Sequence, residues 1–320
     1  TIMRISTTVA RAEFTNALIA IYKDRVPPTS FLRSFFKKVE KTTLSLSIAV
    51  QRGTEMIAVD VERGTDGNRN KFDRSTEKIF VPPYYSEYFN LNELEVYDRL
   101  FTDMDIESSV FSEFVTAVAE KMMMLVEKIE RAYELQCAQV LTTGIVQLQS
   151  GINIDFKRKA ESLVDLGNTF YWNQANVDPV TSLIAAGDFL RTKGLATGAY
   201  LDVIMGAGVL VPLLNNEAVQ NRGKIFNYAL DTITTPQAKS FGATFHGEIS
   251  AGVYRCRLWS YNQYYDDVTT GVKTPYLDDK KIIVLPENPD FVLGFAAVPQ
   301  LPTAGQGIKK GAYIYEDYID

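Results

Sequence analysis

The chain has one histidine, His246, and two cysteines, Cys137 and Cys256, in 320 residues. A single imidazole leaves nothing from which to build a Ser/His/Asp or Cys/His constellation. Neither C-x-x-C nor H-E-x-x-H occurs, so the usual zinc spacings are missing as well. Two cysteines make no disulfide framework. Cys137 falls on the apolar side of a helical pattern and Cys256 within an alternating run, and both read as small buried hydrophobes. Apolar runs such as residues 203–214 are short or broken by glycine and proline, so nothing in the sequence spans a bilayer. Positive charge is also short: 33 Lys and Arg against 39 Asp and Glu leave a net charge of -6. That balance argues against sequence-independent DNA binding over the whole surface, though a local basic patch remains open. No basic-then-apolar segment opens the chain, and synthesis in the cytosol is the expectation.

Residues 108–143 contain no proline and no glycine. Phe111, Phe114, Val115, Val118, Met122, Leu125, Val126, Ile129, Tyr133, Cys137, Val140 and Leu141 recur at the three-and-four spacing of a helical face. Charged residues fill much of the rest, and Glu127 precedes Arg131 by four, a favourable helix pair. Ser108 or Ser109 can cap the start and Gly144 can end it. At 1.5 Å per residue the rod is roughly 54 Å long, several times the mean helix. Such a spine suits a flat, extended subunit better than a compact enzyme core.

Hydrophobic content of 46% and charged content of 22% are those of a globular chain. Residues 1–43 read as an N-terminal arm: 12–23 are weakly helical, Pro27-Pro28 breaks them, and Phe31-Leu32 and Phe35-Phe36 follow. Aromatics on an arm must be covered by the chain's own core or by a neighbour. Lys37, Lys38 and Lys41 read as a solvated helix face, with nucleic-acid contact as the other reading. Residues 44–50, 57–62 and 78–81 alternate as strands around a polar stretch, 63–77, in which Arg63, Arg69, Lys71 and Arg74 outnumber the acids. This makes a long two-stranded excursion with too little apolar surface to stand alone. Residues 145–149 and 152–156 flank Ser150-Gly151 as a tight hairpin. Asp178-Pro179 supplies a cap and a first-turn proline for a helix that Gly194 ends. Residues 200–205 read as a strand and 209–219 as a short helix, and from 241 onward the chain is strand and turn. Helices and strands come in separate blocks, which is α+β.

No residue pattern in the sequence points to catalysis. Asp266-Asp267 and Asp278-Asp279 sit beside turns, where Asp serves the backbone, and lack the D-x-[DN]-x-[DN]-G pattern of a calcium loop. Gly206-Ala207-Gly208 follows a strand and opens a helix. It lacks both the third glycine of the dinucleotide fingerprint and the GK[ST] of a P-loop. No catalytic, cofactor or metal residue is assigned.

Five pieces in order carry a resemblance. They are Ile57-Ala-Val-Asp-Val-Glu-Arg-Gly64 and Lys78-Ile-Phe-Val-Pro-Pro-Tyr84; the helix end 127–144 with Ile152-Asn-Ile-Asp-Phe156; Trp172 with Asp178-Pro-Val180 and Val203-Ile-Met-Gly206; and Tyr254, Tyr261 and Tyr264-Tyr-Asp-Asp267 with Pro275-Tyr276, Ile282-Ile-Val-Leu-Pro286 and Gly294. Their order and spacing resembles the major capsid proteins of tailed bacteriophages of the lambda type, which have the Hong Kong 97-type capsid fold. The likeness runs from Ile48 to Val298. It implies an arm at 1–43, an extended β-hairpin loop at 44–90, a peripheral domain at 91–160 with the spine helix 108–143, and an axial domain at 161–285. Residues 286–320 then return to the peripheral domain and form a tail. It further implies a homo-oligomer of pentamers and hexamers in an icosahedral shell around double-stranded DNA. Portal, scaffold and decoration proteins would be partners, there is no membrane, and assembly takes place in the host cytoplasm.

The residues expected at subunit contacts follow from that picture. Arg63, Arg69, Lys71 and Arg74 on the loop tip would pair with Asp103, Asp105 and Glu107 of an adjacent subunit, or serve only to keep the loop soluble. Phe31 and Phe35 of the arm would also lie at contacts. The rivals are the shell of a cellular encapsulating compartment and another virion protein, such as a tail-tube or head-completion subunit.

Overall fold

With no proline or glycine to interrupt it, helix α1 runs 34 residues, Ser109–Thr142, within one residue of the expected limits at each end. In the computed structural model, the structure describes residues 29–50, 76–88, 109–148, 151, 153–167, 171–174, 176–225, 237–238 and 242–297. The expected loop tip, the acidic run at 103–107, most of the arm and the tail from 298 lie outside them.

The chain divides into two units, one holding Thr1–Phe35 and Ser86–Asp290, the other Phe36–Tyr85 and Phe291–Asp320. Both are discontinuous in sequence. The architecture is α+β.

In the first unit, the most buried line of α1 is Val118, Ala119, Met123, Glu134, Cys137, Ala138 and Leu141. Met122, Leu125, Val126, Ile129, Tyr133 and Val140 are only half-buried, so the seam is turned from the expected stripe by about one residue. The expected pair forms, with Arg131 Nη2 2.8 Å from Glu127 Oε2. The helix stops at Gly144, whose φ of 76° lets its N–H reach back to Val140 O at 3.0 Å. A Cβ there would lie 2.6 Å from Arg158 Cβ. The Arg158 guanidinium donates to the last-turn carbonyl of Leu141, where a cation meets the negative helix end. The hairpin β4, Ile145–Gln147, with β5, Asn153–Asp155, follows as expected.

Helix α2, Pro179–Gly194, opens on Asp178, which accepts Val180 N–H at 3.0 Å. It ends on Leu195 in the left-handed region, φ 56°, and Gly194 is the last helical residue rather than the stop. The single helix expected at 209–219 is two, α3, Leu210–Asn215, and α4, Glu217–Ile225. Buried Asn216 separates them. Its Oδ1 accepts Ala218 N–H at 3.0 Å, and its Nδ2 donates to Trp172 O and Val177 O.

These helices accompany a mixed five-stranded sheet of order β12-β6-β9-β8-β7. Its strands are β6, Tyr200–Met205; β7, Gln237–Ala238; β8, Ala243–Ala251; β9, Tyr254–Tyr261; and β12, Ile282–Pro286. Period-two alternation sends Leu201, Val203 and Met205 of β6, with Tyr254, Cys256 and Leu258 of β9, into one core with Val180, Leu183, Val209, Leu213 and Val219. Asp202 and Trp259 are buried on the other face. The helices lie close: a Cβ on Gly187 of α2 would meet the Tyr254 ring at 2.6 Å, and Tyr254 O–H donates to Asp188 at 2.9 Å. A small hairpin, β10, Tyr264–Asp266, with β11, Lys273–Pro275, follows β9.

The second unit holds β1, Phe36–Glu40; β2, Leu46–Val50; β3, Thr76–Phe80; and β13, Phe291–Phe295. The antiparallel pair β2–β3 is the base of the expected excursion. The helix face expected at Lys37 and Lys38 is instead strand β1, paired in parallel with β13. Phe36 and Val39, three positions apart and so on opposite faces of β1, are each half-buried, and the Phe36 and Phe291 rings lie 5.2 Å apart. Lys38 crosses the Phe295 ring at 5.0 Å and pairs with Glu40 at 2.8 Å.

The turn after β6 gives a test of this packing. A Cβ on Gly206 would lie 2.8 Å from the backbone carbonyl oxygen of Asp279, where no side chain can yield. Gly206→Ala is expected to cost about 1–3 kcal/mol. Gly208→Ala, with its nearest atom at 3.1 Å, should cost less. Chemical denaturation of the two variants checks the order.

Candidate functional site

The one histidine and both cysteines are held in the packing. His246 occupies a bulge in β8, between Phe245, which faces Trp259, and Gly247, which faces Leu258. Its Nε2 lies 2.7 Å from Ser260 Oγ, and burial lowers its pKa below the ordinary value, so the ring stays neutral near neutral pH. Both cysteines are buried as expected, and burial pushes each thiol up to about 12, which keeps it protonated and unreactive. Asp267 accepts Thr269 N–H at 2.8 Å and Asp278 accepts Lys280 N–H at 3.0 Å, the turn-forming role their spacing implies.

Both glycine amides of the 206–208 turn are already engaged by backbone carbonyls. Gly206 N–H donates to Lys281 O at 3.0 Å and Gly208 N–H to Asp279 O at 3.1 Å. Among the described residues no group of acidic, histidine or cysteine side chains could hold a metal. None of the described helices is long and apolar enough to cross a membrane.

The most elaborate polar arrangement centres on Glu134, fully buried in α1. Its Oε1 accepts Leu32 N–H and Tyr261 O–H, both at 2.8 Å, and its Oε2 accepts Arg33 N–H at 3.0 Å. Because Tyr261 spends its only proton on Glu134, Thr29 Oγ1, 3.0 Å away, must donate to the phenol oxygen. Two successive backbone amides thus meet one carboxylate at the start of a 3-10 turn, Arg33–Phe35. Burial raises the carboxyl above its ordinary range, against the pull of Tyr261, the two amides and the Arg33 charge.

Around the carboxylate the aromatics interlock. Phe31 is 1% exposed, with ring centroids 5.4 Å from Trp259, 5.7 Å from Tyr261 and 5.3 Å from Phe35. Tyr276, whose hydroxyl is buried with no partner, lies 6.3 Å from Tyr261 and 5.1 Å from Tyr265. Burial, then the Glu134 charge, pushes its pKa up to about 12. Farther along the same face of β9, Asp202 accepts Trp259 Nε1–H at 2.9 Å and Arg257 Nη2–H at 2.7 Å, and Arg257 lies over the Tyr200 ring.

Of the residues expected at subunit contacts, Phe31 is covered by its own subunit and Phe35 is half-buried beside it. Arg63, Arg69, Lys71, Arg74, Asp103, Asp105 and Glu107 fall outside the described residues. Glu134, Asp202 and Arg158 were not singled out from sequence. Glu134 did carry a signal: it stands three before Cys137 and seven before Leu141, on the seam, where a carboxylate demands partners.

A sequence profile of the family described as phage major capsid protein E matches residues 14–312. No curated protein sequence matches the chain. Among solved structures, a crystal structure assigned to a capsid protein of a prophage of Escherichia coli CFT073 superposes with a TM-score of 0.55 at 13% identity. The match covers 92% of this chain and 84% of that one. At such identity the likeness is one of fold.

The geometry around Phe31 separates an internal role from a contact role. Phe31→Ala is expected to destabilise the isolated subunit by about 3–5 kcal/mol. Phe35→Ala should cost less than half as much, and thermal unfolding of the two variants reads the difference.

Proposed function

The chain belongs to the phage major capsid protein E family, and from that premise we propose that it is the repeating wall unit of an icosahedral phage head. The observation that carries the reading is the family match across residues 14–312, nearly the whole chain. A capsid family is structural, and the absorption of His246, both cysteines and the glycine turn into packing agrees with that. The subunit is read as having a Hong Kong 97-type fold. Its parts are an arm at 1–43, an extended loop at 44–90, a peripheral domain at 91–160 built on α1, an axial domain at 161–285 and a return at 286–320. Copies associate into hexamers and pentamers and enclose double-stranded DNA without sequence preference. A scaffold, a portal and a decoration protein complete the head, which is assembled in the host cytoplasm.

Physical features support the assembly part of this reading. Ile79 and Val81, on and just beyond β3, are 71% and 73% exposed, and nearby Tyr84 is 60% exposed. A subunit that leaves such apolar chains bare near the base of an excursion has a use for neighbours. The net charge of -6 keeps a DNA container from gripping its contents everywhere. On the loop tip, Arg63, Arg69, Lys71 and Arg74 are read as meeting Asp103, Asp105 and Glu107 of an adjacent copy.

Electron microscopy of the purified, assembled chain is expected to show closed shells. Open tubes or small rings would overturn the reading. The Arg69→Glu/Arg74→Glu variant is expected to give fewer or heat-labile shells, and normal yields of heat-stable shells from it would sink the proposed tip contact.

A further inference from the structure

Residues 29–35 reach Glu134 from about a hundred positions away and seal it. They bring two amides, a Thr hydroxyl on the bridging Tyr261, and the side chains of Phe31 and Leu32, which are 1% and 0% exposed. The charged and titratable groups around the carboxylate can be taken element by element. From α1 itself come Cys137, which stays neutral, and Arg131, which is exposed and already paired with Glu127. From β9 comes Tyr261, and from the segment after β11 comes Tyr276, both neutral phenols. From the covering segment comes Arg33, half-buried. Among the described residues no cation forms an ion pair with Glu134. A carboxylate held dry without a paired cation pays for its charge, and that cost disappears when the segment lifts and water returns.

We propose that residues 29–35 are a proton-sensitive strap: they close tightest over neutral Glu134 and loosen as it ionises. The proton, once taken up, sits on the free lone pair of Oε2, because Oε1 already accepts two donors. Burial holds the closed-state pKa above the ordinary carboxylate value to which the open state returns. Closure is therefore fully favoured below that ordinary value and is lost progressively as pH rises toward and through the raised one. The strap ends at Phe35, where the chain passes into the second unit at Phe36, so its release lengthens that covalent connection.

Hydrogen exchange of the full chain, corrected for the intrinsic pH dependence, reads the strap through the amides of Leu32 and Arg33. Between about pH 5 and pH 8, wild-type protection is expected to fall severalfold as Glu134 ionises. Glu134→Gln cannot titrate, so whatever its level of protection, its profile should be flat over the same range. Tyr261→Phe removes the donor that most lowers the Glu134 pKa, so its fall should deepen and extend to higher pH. A strap that is merely structural would lose the same factor at every pH in both variants. Equal slopes in wild type and Glu134→Gln overturn the proposal. If Glu134→Gln does not fold, an unchanged or shallower slope in Tyr261→Phe overturns it.

Discussion

A carboxylate that has lost its water must be given donors, and at Glu134 these come from two parts of the sequence, each about a hundred residues or more away. Leu32 and Arg33 supply backbone amides, Tyr261 supplies a hydroxyl, and α1 supplies the carboxylate. An unmet acceptor at this depth would cost about as much as a lost hydrogen bond or more, so the three segments have one arrangement in which all are satisfied. Hydrophobic burial of Phe31 and Leu32 provides the bulk of the attraction, and it is non-directional. The carboxylate provides the register. A helix of 34 residues with many half-buried apolar side chains offers several seats for an aromatic segment, but only one of them places two consecutive amides on a buried anion.

Asp202 does the same farther along that face of β9. Trp259 Nε1 and Arg257 Nη2 converge on it from the neighbouring strand, which pins β6 against β9 in the parallel pairing Asp202 to Arg257. Parallel pairs get no help from a tight connecting turn, so a directional contact between the strands has more to decide there. Arg158, folded back over the end of α1, ties the β4–β5 hairpin to the helix it follows. The polar residues of greatest structural weight all join segments that are distant in the chain or turn sharply.

That distinction explains what the sequence disclosed. Features decided within a few residues are legible in the sequence: the limits of α1, the Asp178-Pro179 start, the pairing of β4 with β5, the strand at 200–205 and the alternation of β9. Features decided by remote partners are not. Lys37 and Lys38 carry no local sign that β1 will lie beside a strand about 250 residues later. The break at Asn216 depends on the carbonyls of Trp172 and Val177, which local helix propensity does not register. The seam of α1 lies one position from the apolar stripe because Glu134, a residue type that ordinarily faces solvent, is buried on it. Phe31 and Phe35 were recognised as needing cover, but whether that cover came from the same chain could be decided only in three dimensions.

The pairing of β1 with β13 also has a consequence in time. Phe36 leaves the ribosome long before Phe291, and at roughly 5–20 residues per second the interval is on the order of 10 to 50 s. Throughout it, residues 36–40 are without the strand they pair with and are open to other chains. Lys37 and Lys38, exposed in the finished subunit, are the residues that discourage an unpaired edge from adding to another chain. The second unit closes only when the last of its strands appears. A chain that is not yet complete therefore lacks the β1–β13 pairing of its second unit.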